Sequence, residues 1–227
     1  ACGKQESIKK IGITQIVEHP ALDGARNGFL KALEDAGYKD GENLKIEYQN
    51  AQGDQAVAQS IAESFVSDSK DLILAIATPT AQAAYNATKE IPVLITAVTD
   101  PIQAGLAKSL EKSETNVTGT SDATPIDKQF ALIRELLPES KKVGIVYNTS
   151  ELNSEVQVAQ AKVIAQKYGL ELVIKGVTSV NDLAQVLDSL LKEVDVLYTP
   201  TDNLIVSATP LVVKKAMENK IPLIGCI

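Results

Sequence analysis

"VLYTPTDN", Val196 to Asn203, begins as an apolar strand and then breaks into small polar residues: Thr199, Thr201, Asp202 and Asn203 in quick succession. Four consecutive residues suited to a buried strand, followed by hydroxyl, carboxylate and amide groups, mark the carboxyl end of a strand in an α/β sheet. In parallel sheets that end is where loops and helix N-termini converge and where ligands bind.

Working outward, short apolar runs alternate with helical patterns along the chain, as an α/β sheet with crossover helices requires. In the first half the expected strands are "IKKIGITQI" from Ile8, "LKIEYQ", "LILAIA" and "IPVLITA". Between them lie helices over "DGARNGFLKALEDAG", "DQAVAQSIAESFVSD" and the segment after "TPTAQAAY". The first of these helices is expected to turn Phe29, Leu30, Leu33 and Ala36 inward and to stop at Gly37.

The second half repeats the order. A helix at "DKQFALIRELLP" leads to the strand "KKVGIVYN", the helix "VQVAQAKVIAQKYG", the strand "LELVIKG", the helix "VNDLAQVLDSLLKE", the strand "DVLYTP", one helix through "SATPLVVKKAMENK", and "IPLIGCI". Landmarks keep a nearly constant offset: Gly12 to Gly144 is 132, Thr78 to Thr199 is 121 and Pro92 to Pro222 is 130. This predicts two similar Rossmann-like lobes with parallel sheets flanked by helices, residues 1–121 and 122–227, joined by a hinge near Ser121 to Thr124.

Composition narrows the functions. The 227 residues carry 22 Lys plus Arg against 29 Asp plus Glu, a net charge of −7, which disfavours nucleic acid and anionic lipid surfaces as partners. No apolar run reaches the ~18 residues that a membrane-spanning helix needs. Cys2 and Cys226 lie too far apart in the sequence to suggest a metal or redox pair. Cys226, in "IPLIGCI", reads as a small buried hydrophobe. Cys2, in "ACGKQESIKK", stands between small residues ahead of a polar tether, the arrangement of a lipidated cysteine.

Catalytic signatures are missing. The single histidine, His19, can build neither a triad nor a zinc cluster. No nucleophile elbow, phosphate loop or dinucleotide turn occurs, and neither a cofactor nor a metal is expected. The strand-end segments "TQIVEHP", "ATPTAQ", "AVTDP", "YNTSELNS" and "YTPTDN" instead offer Thr14, Gln15, Thr78, Thr80, Asp100, Asp122 in the nearby "TSDAT", Tyr147, Asn153, Ser154, Thr201, Asp202 and Asn203. These groups can hydrogen-bond a small polar molecule and are poor at breaking bonds. Each also has a structural use. Thr78, Pro79 and Thr80 suit the first turn of a helix, Asn153 and Ser154 suit a cap, and Tyr147 and Tyr198 suit strand packing as well as they suit flanking an aromatic ring.

Eight segments in order, "IGITQIVEHPALDGARNGF", "ATPTAQAA", "AVTDPIQAGL", "NVTGTSD", "LIRELLP", "VGIVYNTSELNS", "YTPTDNLIVSA" and "IPLIG", resemble the tryptophan-type substrate-binding lipoproteins of bacterial ABC transporters. The resemblance spans nearly the whole chain. It implies a type I periplasmic-binding-like fold, tethered outside the cell through Cys2, that acts as a monomer, captures an amino acid, typically an aromatic one such as tryptophan or phenylalanine, between its lobes and hands it to an ABC permease. It also points to Asp202, the acid of the opening stretch, as the partner of the ligand's ammonium, with Asn203 beside it; Thr78, Thr80, Asn153 and Ser154, two from each lobe, are the candidate carboxylate donors. Members of that family continue beyond the point where this sequence stops, so the contact list is expected to be incomplete. Two rivals come from other classes: an α/β enzyme acting on a sugar or nucleotide, and a regulator's effector domain, which would expect a DNA-binding helix-turn-helix ahead of Ile8.

Overall fold

The structure, a computed structural model, describes residues 8–225. Cys2 and Cys226 lie outside the described residues. The chain divides into two compact units, the first ending at Asp122 and the second beginning at Ala123.

Unit 1 runs β1 (Lys9–Gln15), α1 (Pro20–Asp35), β2 (Leu44–Asn50), α2 (Gln55–Ser67), β3 (Leu72–Ile76), α3 (Thr78–Ala87), β4 (Val93–Val98) and β5 (Val117–Ser121). The strands form one parallel sheet in the order β2-β1-β3-β4-β5. Helix α1 starts earlier than the sequence pattern predicts, because Pro20 occupies its first turn, where a missing N–H costs nothing. Its buried residue is Leu22; Phe29, Leu30 and Leu33 are half-buried and Ala36 is exposed. Gly37, with φ of 86°, ends it as expected, and Tyr38 N–H closes back onto Leu33 O at 2.9 Å. Strand β5 escapes the hydrophobic pattern because "VTGTS" buries only Val117 at the edge of the sheet.

Unit 2 runs α4 (Ile126–Leu136), β6 (Lys142–Asn148), α5 (Leu152–Lys167), β7 (Glu171–Val177), α6 (Val180–Leu190), β8 (Val196–Thr199), α7 (Asn203–Ser207), α8 (Thr209–Asn219) and β9 (Leu223–Gly225). Its parallel sheet has the order β7-β6-β8-β9. Val196 and Tyr198 join the cluster built with Phe130 and Ile133 of α4 and Val158 and Ala161 of α5. Leu197 joins Leu183, Leu187 and Leu190 of α6 and Val212 of α8. The strand is therefore buried on both faces, which is why it reads as continuous apolar residues. The single helix expected through "SATPLVVKKAMENK" is two: α7 begins early on an Asp202 cap, and α8 restarts with Pro210 in its first turn.

Strand order matches between the units over four strands, β5 being an addition to the first, and so do details. Gly12 on β1 lies where a Cβ would come within 2.5 Å of the Phe65 ring of α2, and Gly144 on β6 where one would meet Leu190 of α6 at 3.1 Å. Pro92 O accepts from Ile73 N at 3.0 Å, and Pro222 O from Leu197 N at 2.9 Å. The register corrects one landmark. Gly12 pairs with Ile73 and Gly144 with Leu197, so stepping five residues on from each reaches Thr78 and Asp202; Thr78 does not correspond to Thr199.

Candidate functional site

In unit 1 the polar residues gather at the carboxyl ends of β1, β3 and β4. Thr14 and Gln15 end β1 fully buried. The Gln15 amide donates to Val17 O at 2.9 Å and Asp23 Oδ1 at 2.8 Å and accepts from Arg26 Nη1 at 2.8 Å, so it ties down the turn into α1 with its hydrogen-bonding capacity used. Thr14 Oγ1 is buried with no hydrogen-bond partner.

Helix α3 starts directly from β3. Its N-cap, Ala77, has φ of 83° and ψ of 158°, a region that glycine alone occupies freely. Thr78, Pro79 and Thr80 form the first turn. The Thr80 hydroxyl is shared between Ile76 O at 2.6 Å and Ala77 O at 3.0 Å, a local back-bond. The Thr78 hydroxyl, on a residue 2% exposed, has no partner. A helix start with free N–H groups and an open hydroxyl suits a carboxylate.

Asp100 is occupied in part: its Oδ1 accepts from Ile102 N at 3.0 Å and Gln103 N at 2.9 Å, capping the turn after β4. Asp122, the last residue of unit 1, donates its N–H to Val98 O at 3.2 Å. Its side chain reaches solvent, yet its packed surroundings push the carboxyl upward, opposed by hydrogen bonds from Thr99 and from its own backbone.

Unit 2 builds a denser cluster from three segments: the end of β6, the start of α5 and the turn from β8 into α7. Asp202 is fully buried. Its Oδ2 accepts from Asn148 N and Ser154 Oγ, both at 2.6 Å, and its Oδ1 from Ile205 N at 2.9 Å, the N-cap bond of α7. Burial first, and the charge of Glu151 second, push its carboxyl up to about 7 against those donors.

Glu151, 4% exposed, is the residue that the sequence reading passed over. Its oxygens accept from Asn148 Nδ2 at 3.1 Å, Asn153 Nδ2 at 3.0 Å, Asn203 N at 3.2 Å, Leu204 N at 3.3 Å and the Asn203 side-chain amide. One signal could have found it: Glu151 is the N-cap of α5 as His19 is of α1, and the repeat offset of the first strands aligns the two.

Asn153 and Ser154 lie within the first turn of α5 and make no cap; Glu151 holds that position. Asn153 Nδ2 also donates to Thr201 O at 2.9 Å, while Asn153 Oδ1 is buried with no partner. Thr201 N donates to Gln157 Oε1 at 3.1 Å, and Gln157 Nε2 donates to the Thr201 hydroxyl. Tyr147 is half-buried against the cluster of α4 and α5. Tyr198 is core: its ring sits 5.2 Å from that of Phe130 and its hydroxyl donates to Gln129 Oε1 at 2.7 Å.

Among the described residues, no group of three His, Cys, Asp or Glu side chains could hold a metal, and no helix is long and apolar enough to cross a membrane. The arrangement offers acceptors, hydroxyls and helix starts, the chemistry of recognition.

Over residues 10–226 the chain matches the family model described as ABC transporter substrate binding protein, and it belongs to that family. It is 59% identical over 217 residues to a tyrosine-binding protein of Clostridioides difficile, covering 96% of this chain and 63% of that one. A solved ABC domain in complex with L-Trp from Streptococcus pneumonia is 40% identical, with a TM-score of 0.92, covering 97% of this chain and 75% of that one. A ligand-free, open structure of a substrate binding protein with adhesive properties from Clostridium difficile is 58% identical, with a TM-score of 0.65 and coverage of 96% and 74%. The chain spans 63% and 65% of the length of the curated relatives that it matches.

Proposed function

We propose that the protein is the extracytoplasmic solute receptor of an ABC importer and that its solute is an aromatic L-amino acid. The observation that carries the reading is the 59% identity to a protein named for tyrosine binding, and the L-Trp bound to a relative of the same family supports it. The strand ends add a physical reason: the buried and unpartnered oxygens of Thr14, Thr78 and Asn153 are left for a polar guest to satisfy.

The remaining parts of the reading are a lipid anchor at Cys2, delivery to a permease and action as a monomer. A receptor binds stoichiometrically and yields no product, where an enzyme acting on a sugar or nucleotide would turn its substrate over. Calorimetric titration of the full-length protein with L-tyrosine, L-tryptophan and L-phenylalanine is expected to show one site for at least one of them. No heat with any aromatic amino acid, or product formed on incubation, rejects the reading.

A further inference from the structure

In the unit 2 cluster, one buried acceptor is open. Both Asp202 oxygens have donors, and both Glu151 oxygens have donors. Asn148 Oδ1 accepts from Ser150 N at 3.0 Å, and Gln157 Oε1 from Thr201 N at 3.1 Å. Asn153 Oδ1, on a side chain 4% exposed, has none.

The orientation of that amide is fixed by its neighbours. Exchanging its oxygen and nitrogen would set an acceptor against the Glu151 carboxylate at 3.0 Å and the Thr201 carbonyl at 2.9 Å, two repulsive contacts in place of two hydrogen bonds. The nitrogen therefore faces the acid, and the oxygen must find its donor elsewhere. A buried acceptor left unpaired is costly, so a donor is expected when the site is in use.

We propose that Asn153 Oδ1 receives the ammonium of the bound amino acid, and that Glu151 is a positioning residue whose negative charge reaches the ligand through the Asn153 amide; the assignment rests on the receptor reading above. Asp202, the acid that the sequence favoured for this role, braces the cluster instead. A carboxylate accepting from one end of an amide polarises it, drawing electron density toward the carbonyl oxygen at the other end. The start of α5 carries a partial positive charge that opposes an incoming ammonium. Glu151 sits at that helix start and offsets it with a full negative charge held close by.

The test is a comparison of ligands on the full-length protein: L-tyrosine against hydroxyphenylpropionate, the same molecule without its amino group. The unmodified protein is expected to prefer L-tyrosine by about a hundredfold, and Asn153→Ala to reduce that preference to about tenfold or less. Glu151→Gln keeps the shape and removes the charge, and is expected to shrink the preference in the same direction; it carries the comparison if Asn153→Ala fails to fold. A preference unchanged in folded variants overturns the assignment and leaves the receptor reading intact, as would an oxygen satisfied by water alone. Failure of the unmodified protein to bind L-tyrosine, or any other aromatic amino acid, removes both.

Discussion

The strand ends of the two units answer the same geometric problem with different chemistry. Each sheet ends in a turn that launches a helix, and the register makes Thr78 of unit 1 the counterpart of Asp202 in unit 2. In unit 2 that position is a buried carboxylate with three donors, locked to Glu151's neighbours and to two helix starts. In unit 1 it is a hydroxyl with none, near a second orphan at Thr14. A carboxylate whose oxygens are both engaged stabilises the unit that contains it; an unpartnered hydroxyl, like the open Asn153 oxygen beside that carboxylate, leaves bonding capacity for a guest. The difference teaches that a polar residue at a strand end is not by itself a contact, since of these two the acid is spent on its own unit and the hydroxyl is not.

The comparison is broken most forcefully at Asp202. Asp202→Ala orphans the Asn148 and Ile205 N–H groups and the Ser154 hydroxyl, and is expected to cost about 3 kcal/mol or more in urea unfolding. The same carboxyl ties stability to pH. Its folded pKa is raised from about 4 to about 7, so the folded state binds the proton more tightly than the unfolded one. Its contribution is fully present below about pH 4 and is lost as pH rises through about 7. The urea midpoint should therefore fall between about pH 4 and 7, and Asp202→Ala should flatten that slope. A midpoint that rises across this range in the native protein, and no longer does so in Asp202→Ala, would show that the carboxyl is held charged instead.

Gly12 and Gly144 test whether the shared architecture tolerates the same change equally. A methyl at Gly12 meets a fully buried ring at 2.5 Å, whereas one at Gly144 meets the Leu190 and Val194 side chains at 3.1 Å, where a shift of a few tenths of an ångström suffices. Gly12→Ala is expected to cost about 2 kcal/mol and Gly144→Ala less than about 1 kcal/mol. Thermal melts with equal losses would mean that the Phe65 ring yields as readily as the aliphatic pair.

The smallest effect on stability is expected at Thr78. Thr78→Val deletes a hydroxyl that bonds nothing, so unfolding should shift by no more than about 0.5 kcal/mol, while amino acid affinity should fall by about tenfold. Titration and denaturation of the one variant separate these. A large stability loss with intact affinity would place Thr78 on the self-contained side of the comparison.

How far the sequence speaks depends on what buries each segment. Strand β8 was legible because both faces are covered and every residue is apolar up to Thr199, and the repeat was legible because Gly12 and Gly144 sit where a helix presses on a strand. Strand β5 was illegible: edge exposure leaves Thr118, Gly119, Thr120 and Ser121 free of apolar demand. The site was half legible. Its residue types and positions announce a polar strand end, but which atoms are spent on one another is a matter of tertiary contact. Thus Gln15, Thr80 and Asp202 read like open groups and are engaged, while Glu151 reads like a solvated acid and is the most heavily bonded side chain of its cluster.

Ala77 narrows what evolution or an engineer can do at the mouth of unit 1. Its backbone sits at φ 83° and ψ 158°, where every side chain beyond hydrogen is strained by on the order of 1–3 kcal/mol. A methyl is the largest group placed there, and any β-branched residue would add its own crowding to a peptide already held against its preference. Glycine is the replacement that relieves this strain, and every larger side chain keeps it. The angle at which the Thr78 turn leaves the sheet depends on that one peptide, a fixed mounting around which neighbouring side chains can vary to change what is held.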